Sequence, residues 1–319
     1  GVCMKKILLY AVGCVVIVVC VVCYFAFTQT RELQECKNER DKISGCVEKE
    51  YVDAYGARLW FETPYKNGKK HGIAKRYYEN GKLASEIPYK NGEPHGALKY
   101  YDDNGKLMSE ASYENGKPHG MLKKYYENGN LVRETPYEND KKHGVEKEYY
   151  ENGNLRSETP FENGEWHGVA KEYYENGNLN YEISFENGER HGVEKWYYGN
   201  GNLKHEVPYE NGKRHGVEKE YYENGNLWYE TPYENGKRHG VTKIYYKNGN
   251  LKYKTPFESN MRHGVEERYY ENGNLQAQIT YENGNIVSGV CGDGKKIPNI
   301  QGLGYWGDIQ NQISTTCKK

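Results

Sequence analysis

Hydrophobic and polar positions along most of this chain recur with a fixed spacing of 24 residues. In the unit over residues 143–166 the aliphatic side chains are Val145 and Leu155, and a pair of tyrosines lies between them. The His-Gly pair that opens this unit occurs nine times, from His71 to His263. Such a period is typical of repeat architectures, in which each unit packs mainly on its neighbours. The pattern therefore predicts one elongated repeat array.

Two Asn-Gly pairs divide each unit into short segments, Asn152-Gly153 and Asn163-Gly164 in this one. Asn-Gly between such segments is a strong hairpin signal, because both residues accept the positive φ of a type I′ turn. Two-residue loops at both pairs predict strands over 154–162 and 165–175. The second strand is two residues longer, and we expect a bulge or bend at His167-Gly168, near Pro160, to absorb the excess.

Folding the unit about its first Asn-Gly pair sets a strand register. Lys147 then meets Glu158, and the same opposite charges meet in other units, for example Lys75 and Glu86. Opposed charges across strands stabilise a sheet by roughly 0.2–1 kcal/mol per pair. The other predicted partners are Glu146 with Thr159, Glu148 with Ser157, Tyr149 with Arg156, Tyr150 with Leu155, Gly144 with Phe161 and His143 with Glu162.

These patterns predict an all-β fold class: an elongated, single-layer antiparallel β-hairpin array of 24-residue units, preceded by one transmembrane helix. Five segments follow from the changes in composition. They are an N-terminal flank over 1–6, a transmembrane anchor or signal segment over 7–27, a stalk over 28–46, the repeat array over 47–284, and a C-terminal cap and tail over 285–319.

The apolar segment over residues 7–27 follows Met4-Lys5-Lys6. About 20 apolar residues span a bilayer core, so we expect an uncleaved single-pass anchor with the repeats outside the cytoplasm. A cleaved signal peptide would give a secreted protein, and a lipoprotein would be modified at Cys14. These alternatives stay open.

The flanks of the array carry four of the eight cysteines, Cys36, Cys46, Cys291 and Cys317. Their positions permit disulfides at the two ends without requiring them. Residues 28–43 are polar and compatible with a helix. The tail is rich in glycine, and we expect it to cap the array and continue as loose chain.

Charge excludes one class of partner. The 44 basic and 45 acidic residues alternate along the repeats, so no basic face suited to nucleic acid is predicted. With few aliphatic residues and 33 tyrosines, the apolar surface must come largely from tyrosine rings.

Repetition also argues against a metal centre, a cofactor and catalysis. Equivalent histidines on successive units lie roughly 9–10 Å apart, too far to share a zinc ion bound at about 2.0 Å. A bend-forming role is expected instead, with a shared titration near pH about 6.5 as a further possibility. Every unit also carries the same Glu, Lys, Tyr and His, whereas an active site needs one converging set of unequal groups. A deep pocket built by the tail would favour an enzyme.

The segments Tyr-Tyr-Glu-Asn-Gly-Asn-Leu at 221–227 and Tyr-Glu-Asn-Gly-Lys-Arg-His-Gly at 233–240 resemble the MORN repeat, in the variant found in YwqK-type antitoxin proteins. The resemblance covers roughly residues 47–284. It implies an extended β-hairpin array that holds a protein partner, and the antitoxin connection implies a cognate toxin or effector. The alternative is a surface adhesin or a module that binds glycans or membranes.

The predicted partner surface comes from comparing units. The positions of Glu148 and Ser157 lie opposite each other on one face and vary most along the chain. Between residues 181 and 253 they become bulky, and such exposed aromatic residues are typical of interaction surfaces. The alternative is that these rings pack against the tail or a neighbouring unit. The candidate binding residues are Tyr181, Trp196, His205, Tyr229, Ile244 and Tyr253.

Overall fold

The computed structural model describes residues 33–52, 58–301 and 306–317. The chain forms two compact units. The first comprises the chain up to Gly96 together with residues 103–105. The second comprises residues 97–102 together with the chain from residue 106 onward.

Over its described residues, the first unit contains one short helix and six strands. They are α1 (Asp41–Ser44), β1 (Cys46–Tyr51), β2 (Leu59–Lys66), β3 (Lys69–Lys70), β4 (Gly72–Tyr77), β5 (Leu83–Lys90) and β6 (Glu93–Pro94). The strands β1, β2, β4 and β5 pair in that order, each antiparallel to the next.

The second unit is also built of strands, and its described part ends in a helix. Its elements are β7 (Gly96–Tyr101), β8 (Leu107–Glu114), β9 (Lys117–Tyr125), β10 (Leu131–Glu138), β11 (Lys141–Lys142), β12 (Gly144–Tyr149), β13 (Leu155–Glu162), β14 (Glu165–Trp166), β15 (Gly168–Tyr173), β16 (Leu179–Glu186), β17 (Glu189–Tyr197), β18 (Leu203–Glu210), β19 (Lys213–Arg214), β20 (Gly216–Tyr221), β21 (Leu227–Glu234), β22 (Lys237–Arg238), β23 (Gly240–Tyr245), β24 (Leu251–Glu258), β25 (Met261–Arg262), β26 (Gly264–Tyr269), β27 (Leu275–Glu282), β28 (Asn285–Cys291) and α2 (Trp306–Thr316).

Within this second unit, strands β8 to β28 form one antiparallel sheet of successive hairpins. Each hairpin spans 24 residues, as the sequence period requires. The predicted all-β hairpin-repeat fold is therefore confirmed.

The hairpin turn at Asn163-Gly164 has the predicted form. Asn163 has φ 53° and Gly164 has φ 94°, so both central residues are left-handed, as a type I′ turn requires. The flanking residues Glu162 and Glu165 are directly paired.

The turn at Asn152-Gly153 differs from the prediction, because its loop has three residues instead of two. Tyr150 N–H donates to the Asn154 carbonyl at 2.8 Å, and Gly153 N–H donates to the Tyr150 carbonyl at 2.9 Å. Only Gly153 has a positive φ, 89°. Asn152 instead uses its side chain, whose Oδ1 accepts from Asn154 N–H at 2.9 Å. This is a type I turn followed by a glycine bulge.

The longer loop changes the register next to the turn. Tyr149 pairs with Leu155, and Arg156 is the bulged residue, so the predicted pairs of Tyr149 with Arg156 and Tyr150 with Leu155 are wrong. The remaining predicted pairs between Gly144 and Glu148 and the opposite strand are correct.

The two extra residues of the second strand are absorbed at His167-Gly168. His167 N–H donates to the Pro160 carbonyl at 3.1 Å, which accepts although the proline cannot donate. Gly168 has φ 99°, and a Cβ atom there would lie 3.3 Å from Pro160 Cγ. The predicted break in pairing is confirmed, since only glycine combines this φ with this close approach.

One face of the sheet carries a column of alternating lysines and glutamates with tyrosine hydroxyls between them. Lys219 Nζ lies 3.0 Å from Glu206 Oε1, and Tyr221 Oη donates to the same oxygen at 3.0 Å. Burial and the bond to Glu206 raise the pKa of Tyr221 to about 12. Equivalent tyrosine–glutamate bonds recur every 24 residues, as in Tyr149–Glu134 at 2.9 Å.

The second tyrosine of each pair ties one unit to the next. Tyr150 Oη donates to the Tyr173 carbonyl at 2.7 Å, and Asn154 Nδ2 donates to the Glu175 carbonyl at 2.9 Å. Both acceptors belong to the following hairpin. The most repetitive residues of the sequence are therefore those that hold neighbouring units together.

The described residues before β1 are cross-linked to that strand. Cys36 and Cys46 form a disulfide, and Glu35 forms a parallel bridge to Val47. Within the described part of the predicted stalk, α1 is the only helix, so the segment is not helical throughout. The apolar segment over 7–27 lies outside the described residues. Neither α1 nor α2 combines the length and apolarity needed to cross a bilayer.

The C-terminal tail is not loose chain over its described residues, which corrects the prediction. Strand β28 pairs with β27, and α2 adds Ile309 and Ile313 to a buried apolar cluster. Cys291 and Cys317 close this end with a disulfide. Tyr270 Oη donates to the Cys317 carbonyl at 2.9 Å, so the tail supplies the acceptor that a further hairpin would offer. The other members of the cluster are Ala277, Ile279, Tyr281, Ile286, Ile297 and Ile300.

Candidate partner-binding face

The six candidate residues lie on one face of the second unit, in a single row across neighbouring strands. Each faces the next directly through the strand pairing, and a carboxylate fills one place between His205 and Tyr229. We call this set the aromatic row. In order it runs Tyr181, Trp196, His205, Glu220, Tyr229, Ile244 and Tyr253.

The row is a partly covered surface. Trp196 is the most open member, with 38% of its surface exposed, and the other five predicted residues are half-buried. The rings of Tyr181 and Trp196 pack at a centroid distance of 4.3 Å. Burial, together with the charge of Glu194, raises the pKa of Tyr181 to about 12, so the phenol stays neutral.

A buried carboxylate supports Trp196 from below. Trp196 Nε1 donates to Glu194 Oε1 at 3.0 Å, and Arg190 donates to Glu194 Oε2 at 3.3 Å. Glu194 is only 5% exposed, so its charge requires these donors. The indole is thereby held with its ring towards solvent.

The centre of the row rests on a second buried carboxylate, Glu218. His205 Nε2 lies 2.9 Å from Glu218 Oε1, Tyr229 Oη donates to the same oxygen at 2.8 Å, and Arg214 donates to Oε2 at 2.9 Å. Burial alone would raise the pKa of Glu218, but these donors outweigh it and hold the pKa below its ordinary value. By contrast, burial raises the pKa of Glu220 within the row.

The row ends beneath the C-terminal cap. Tyr253 is paired with Arg268, whose guanidinium carbon lies 5.4 Å from the Tyr253 ring centroid. Arg268 is fully buried, bonded to Glu266 at 2.7 Å and to Gln310 of α2 at 2.9 Å. This end of the row therefore packs against residues that contact the C-terminal cap, which is the alternative considered from the sequence. The end at Trp196 is open to solvent.

A column of cations stacks on aromatic rings beside the row. Trp166 takes the place of such a cation in its own unit. Its ring packs edge-on against the ring of Phe185, with the two ring centroids 4.7 Å apart. Next to it lies a hollow of about 250 Å³, bordered by Trp166, Tyr181, Phe185 and Ala170. The stacked cation–ring pairs of the second unit are Lys142–Phe161, Arg190–Tyr209, Arg214–Tyr233, Arg238–Phe257 and Arg262–Tyr281.

The histidines of the His-Gly pairs lie at the bend of each hairpin. The predicted approach of His143 to Glu162 is wrong: Glu162 lies 3.5 Å from His167, and His143 lies 3.8 Å from Glu138. In the six units from His119 to His239, the imidazole lies 3.5–3.9 Å from the glutamate five residues earlier, across its own type I′ turn. These histidines are close to half exposed.

No group of three or more potential metal ligands converges among the described residues. The tail borders a hollow of about 600 Å³ between β28 and residues 296–301. Among the described residues that line this hollow, Lys296 is the one with a titratable side chain. No constellation of acid, base and nucleophile is assembled there.

Sequence reasoning located the row but not what lies beneath it. Glu194 and Glu218 share the face of the aromatic row, and a charged residue at a core-facing position of a strand signals a buried ion pair. The hollow beside Trp166 had a weaker sequence signal. It shows only when the units are compared, since Ala170 stands where the adjacent units have Glu146 and Glu194.

The fold and this face define a β-hairpin repeat protein. The MORN repeat variant model matches nine consecutive segments that together exceed half of the chain, so the chain belongs to the MORN-repeat variant family. The matched residues are 70–91, 94–115, 118–139, 142–163, 166–187, 190–211, 214–235, 238–259 and 262–283.

The chain matches no curated protein. Among solved structures it is similar to chains in crystal structures of TcdB2-TccC3-TEV, TcdB2-TccC3-Cdc42 and TcdB2-TccC3, at 12%, 11% and 13% identity. The matches cover 79%, 77% and 79% of this chain but only 16%, 19% and 18% of those chains, with TM-scores of 0.19, 0.15 and 0.15. Similarity at this level supports no conclusion about function.

Proposed function

We propose that the protein is a non-catalytic repeat scaffold that binds a protein partner through the open end of the aromatic row. The observation that carries this proposal is the register, which aligns Tyr181, Trp196 and His205 as direct neighbours on one face. Trp and Tyr are enriched among residues that dominate binding energy. The buried carboxylates below hold these side chains in place, which reduces the entropy lost on binding.

The finer proposal is that the partner is a toxin or secreted effector, as in an antitoxin or immunity protein. The family resemblance and the repetitive character of the chain support it. The products of genes adjacent to its own are the candidates to produce and test. Binding that neutralises a toxic neighbour would support the antitoxin role, and binding of a non-toxic partner would favour an adhesin or scaffold.

Trp196→Ala tests the surface. Removing the exposed indole opens Glu194 to water, which replaces the lost donor while the bond to Arg190 remains. We therefore expect partner affinity to fall about tenfold or more with little change in melting temperature. The matched control is Val193→Ala, since Val193 is 40% exposed but lies on the opposite face. Equal affinities for wild type and Trp196→Ala would exclude the row as the binding surface.

We also propose that residues 7–27 tether the protein to a membrane, with the repeats outside the cytoplasm. The two disulfides support this location, because disulfides persist mainly in oxidising compartments. The protein should remain with membranes after carbonate extraction. Cys291 and Cys317 should react with a thiol reagent only after reduction. Release of the protein into the soluble fraction would contradict the membrane tether, and reaction without reduction would contradict the location outside the cytoplasm.

A further inference from the structure

A paired substitution distinguishes one unit from its neighbours. In the preceding unit, Lys142 donates to Glu146 Oε2 at 2.8 Å and Thr135 Oγ1 donates to the same oxygen at 2.7 Å. In the next unit Trp166 occupies the place of Lys142, and Ala170 that of Glu146. Cation and carboxylate are missing together, so no buried charge is left unpaired.

Their loss opens the hollow. Trp166, Tyr181 and Phe185 form aromatic walls, while the small side chains of Ala170, Ser157 and Thr159 leave the interior open. The volume, about 250 Å³, is below the roughly 300–1,000 Å³ of small-molecule pockets and suits a single side chain.

A second unit also has alanine at this position, Ala74, but its surroundings differ. There the place of Ser157 is taken by Phe61, which pairs directly with Arg76. The guanidinium carbon of Arg76 lies 5.9 Å from the Phe61 ring centroid. Alanine alone therefore does not define the hollow; the small Ser157 is needed too.

The hollow also carries a carboxylate without a cation. Glu172 lies opposite Ser157 and Tyr181, and it forms no ion pair or hydrogen bond with any described residue. The equivalent Glu148 is paired with Arg133 and Arg156, whose places in the next unit are taken by Ser157 and Asn180.

Two cations border the hollow, and neither forms an ion pair with Glu172. Arg190 also borders the hollow, but it lies 3.3 Å from Glu194 and donates to Tyr209 Oη at 3.1 Å. Its charge is thus already balanced by a buried carboxylate. Lys171 borders the hollow as well, but it is paired with Glu158 and Glu182 on the opposite face of the sheet. On the face of the hollow, Glu172 is the carboxylate that no cation of the described residues pairs with.

We infer that this hollow receives a lysine side chain of the partner protein, an inference that rests on the proposed function. Aromatic walls attract an ammonium through the ring quadrupoles, and the apolar lysine stem fits between them. Glu172 provides the counter-charge, and the hydroxyls of Ser157 and Thr159 are further acceptors. The lysine would sit beside Tyr181, at the open end of the aromatic row.

The test uses the full chain and two probes, N-acetyl-lysinamide and its uncharged isostere N-acetyl-norleucinamide. Binding is followed by the NMR shift of the Trp166 indole N–H. We expect saturable binding of the lysine probe, binding of the norleucine probe about tenfold weaker, and a similar loss with Glu172→Gln. Glu148→Gln is the matched control and should bind as wild type does.

A second variant rebuilds the neighbouring cluster. Trp166→Arg combined with Ala170→Glu restores the cation and carboxylate found in other units, so it should fold with an unchanged melting temperature and fill the hollow. We expect no lysine binding by this variant. Equal binding of both probes, no binding of either, or lysine binding by the rebuilt variant would each overturn the inference.

The partner separates this inference from the proposed function. If Trp196→Ala abolishes partner binding while Glu172→Gln and the rebuilt variant bind normally, the scaffold function stands and the lysine site is wrong. If all of them bind normally, both proposals fail. Loss of partner affinity in all three supports both.

Discussion

At the scale of single residues, one position in the repeat serves different purposes according to its neighbours. Glu218 and Glu266 are 4% and 0% exposed, and both are bonded to arginine. At the same position the chain has Leu122, Ala170 and Thr242. A buried carboxylate is tolerated only with donors on every side, so its partners change whenever it does.

We predict that Glu218→Gln lowers the melting temperature at neutral pH, corresponding to roughly 1–3 kcal/mol, because three charge-assisted contacts weaken. The donors that face Glu218 most closely are His205, Arg214 and Tyr229. Tyr233 also interacts with it, and the carboxylate of Glu220 is the like charge nearby. Since its pKa is below the ordinary 4.5 in the folded state, its stabilisation is present above that value and is lost as pH falls through the folded pKa.

Melting curves of wild type and Glu218→Gln should therefore converge as the pH is lowered below 4.5. Glu223→Gln, at an exposed turn position, is the control and should match wild type throughout. A gap between wild type and Glu218→Gln that does not depend on pH would show that packing, not charge, is what Glu218 contributes.

At the scale of elements, each hairpin is specified by three local devices. The type I′ turn requires two residues that accept positive φ, the three-residue loop requires one glycine, and the bend requires a glycine beside a proline. Asn163, Gly153 and Gly168 show these requirements in the same region. Because the requirements are local, they repeat in the sequence with the period of the fold.

We predict that Gly216→Ala destabilises its hairpin by roughly 1–3 kcal/mol. Gly216 has φ 107°, and a Cβ atom there would lie 3.0 Å from Pro208 Cγ. Pro208→Ala should recover part of the loss when combined with it, since it removes the contact with Cγ but leaves Cβ at 3.3 Å and the strained φ. Hydrogen exchange of β18 to β20 reports the effect.

Gly225→Ala is the companion control, because Gly225 has φ 87° but no atom within 4 Å of the added Cβ. It should cost the backbone strain alone, with no response to Pro208→Ala. Similar rescue of both glycine variants would argue against the close contact as the cause.

At the scale of the whole molecule, the described chain has a disulfide-closed segment before β1 and a disulfide-closed cap after β28. A hairpin stack offers unpaired backbone groups at its ends, which invite pairing with other chains. The C-terminal cap covers such an end with Ile309, Ile313 and the bond from Tyr270 to Cys317. Stability in arrays of this kind is mostly a sum over neighbouring units.

We therefore predict that replacing Cys291 and Cys317 by serine destabilises the cap by about 2–4 kcal/mol. The disulfide joins two residues 26 positions apart, so it restricts the unfolded chain between them. Hydrogen exchange should increase in β27, β28 and α2 and stay at the wild-type level in β12 to β16. Increased exchange throughout the second unit would instead show that its hairpins unfold together.

Much of the fold follows from the sequence alone. Side chains along a strand alternate between the two faces of the sheet. Once the turn fixes that Trp196 lies opposite His205, both side chains must therefore lie on the same face. Lys147 opposite Glu158 checks the register independently. The repeat boundaries, the bend at His167-Gly168 and the position of the aromatic row were all predictable for this reason.

Tertiary structure decided the features that depend on distances between units. Tyr150 bonds a carbonyl 23 residues away and Arg268 contacts Gln310 in α2. Neither partner is specified by local periodicity. The hollow likewise appears only when Ala170, Ser157 and Trp166 come together. Glu172 has no arginine partner because Ser157 and Asn180 occupy the places of the two arginines that pair with Glu148. Turn chemistry and strand parity are local and repeat along the chain, whereas long side chains choose partners according to the packing of adjacent hairpins.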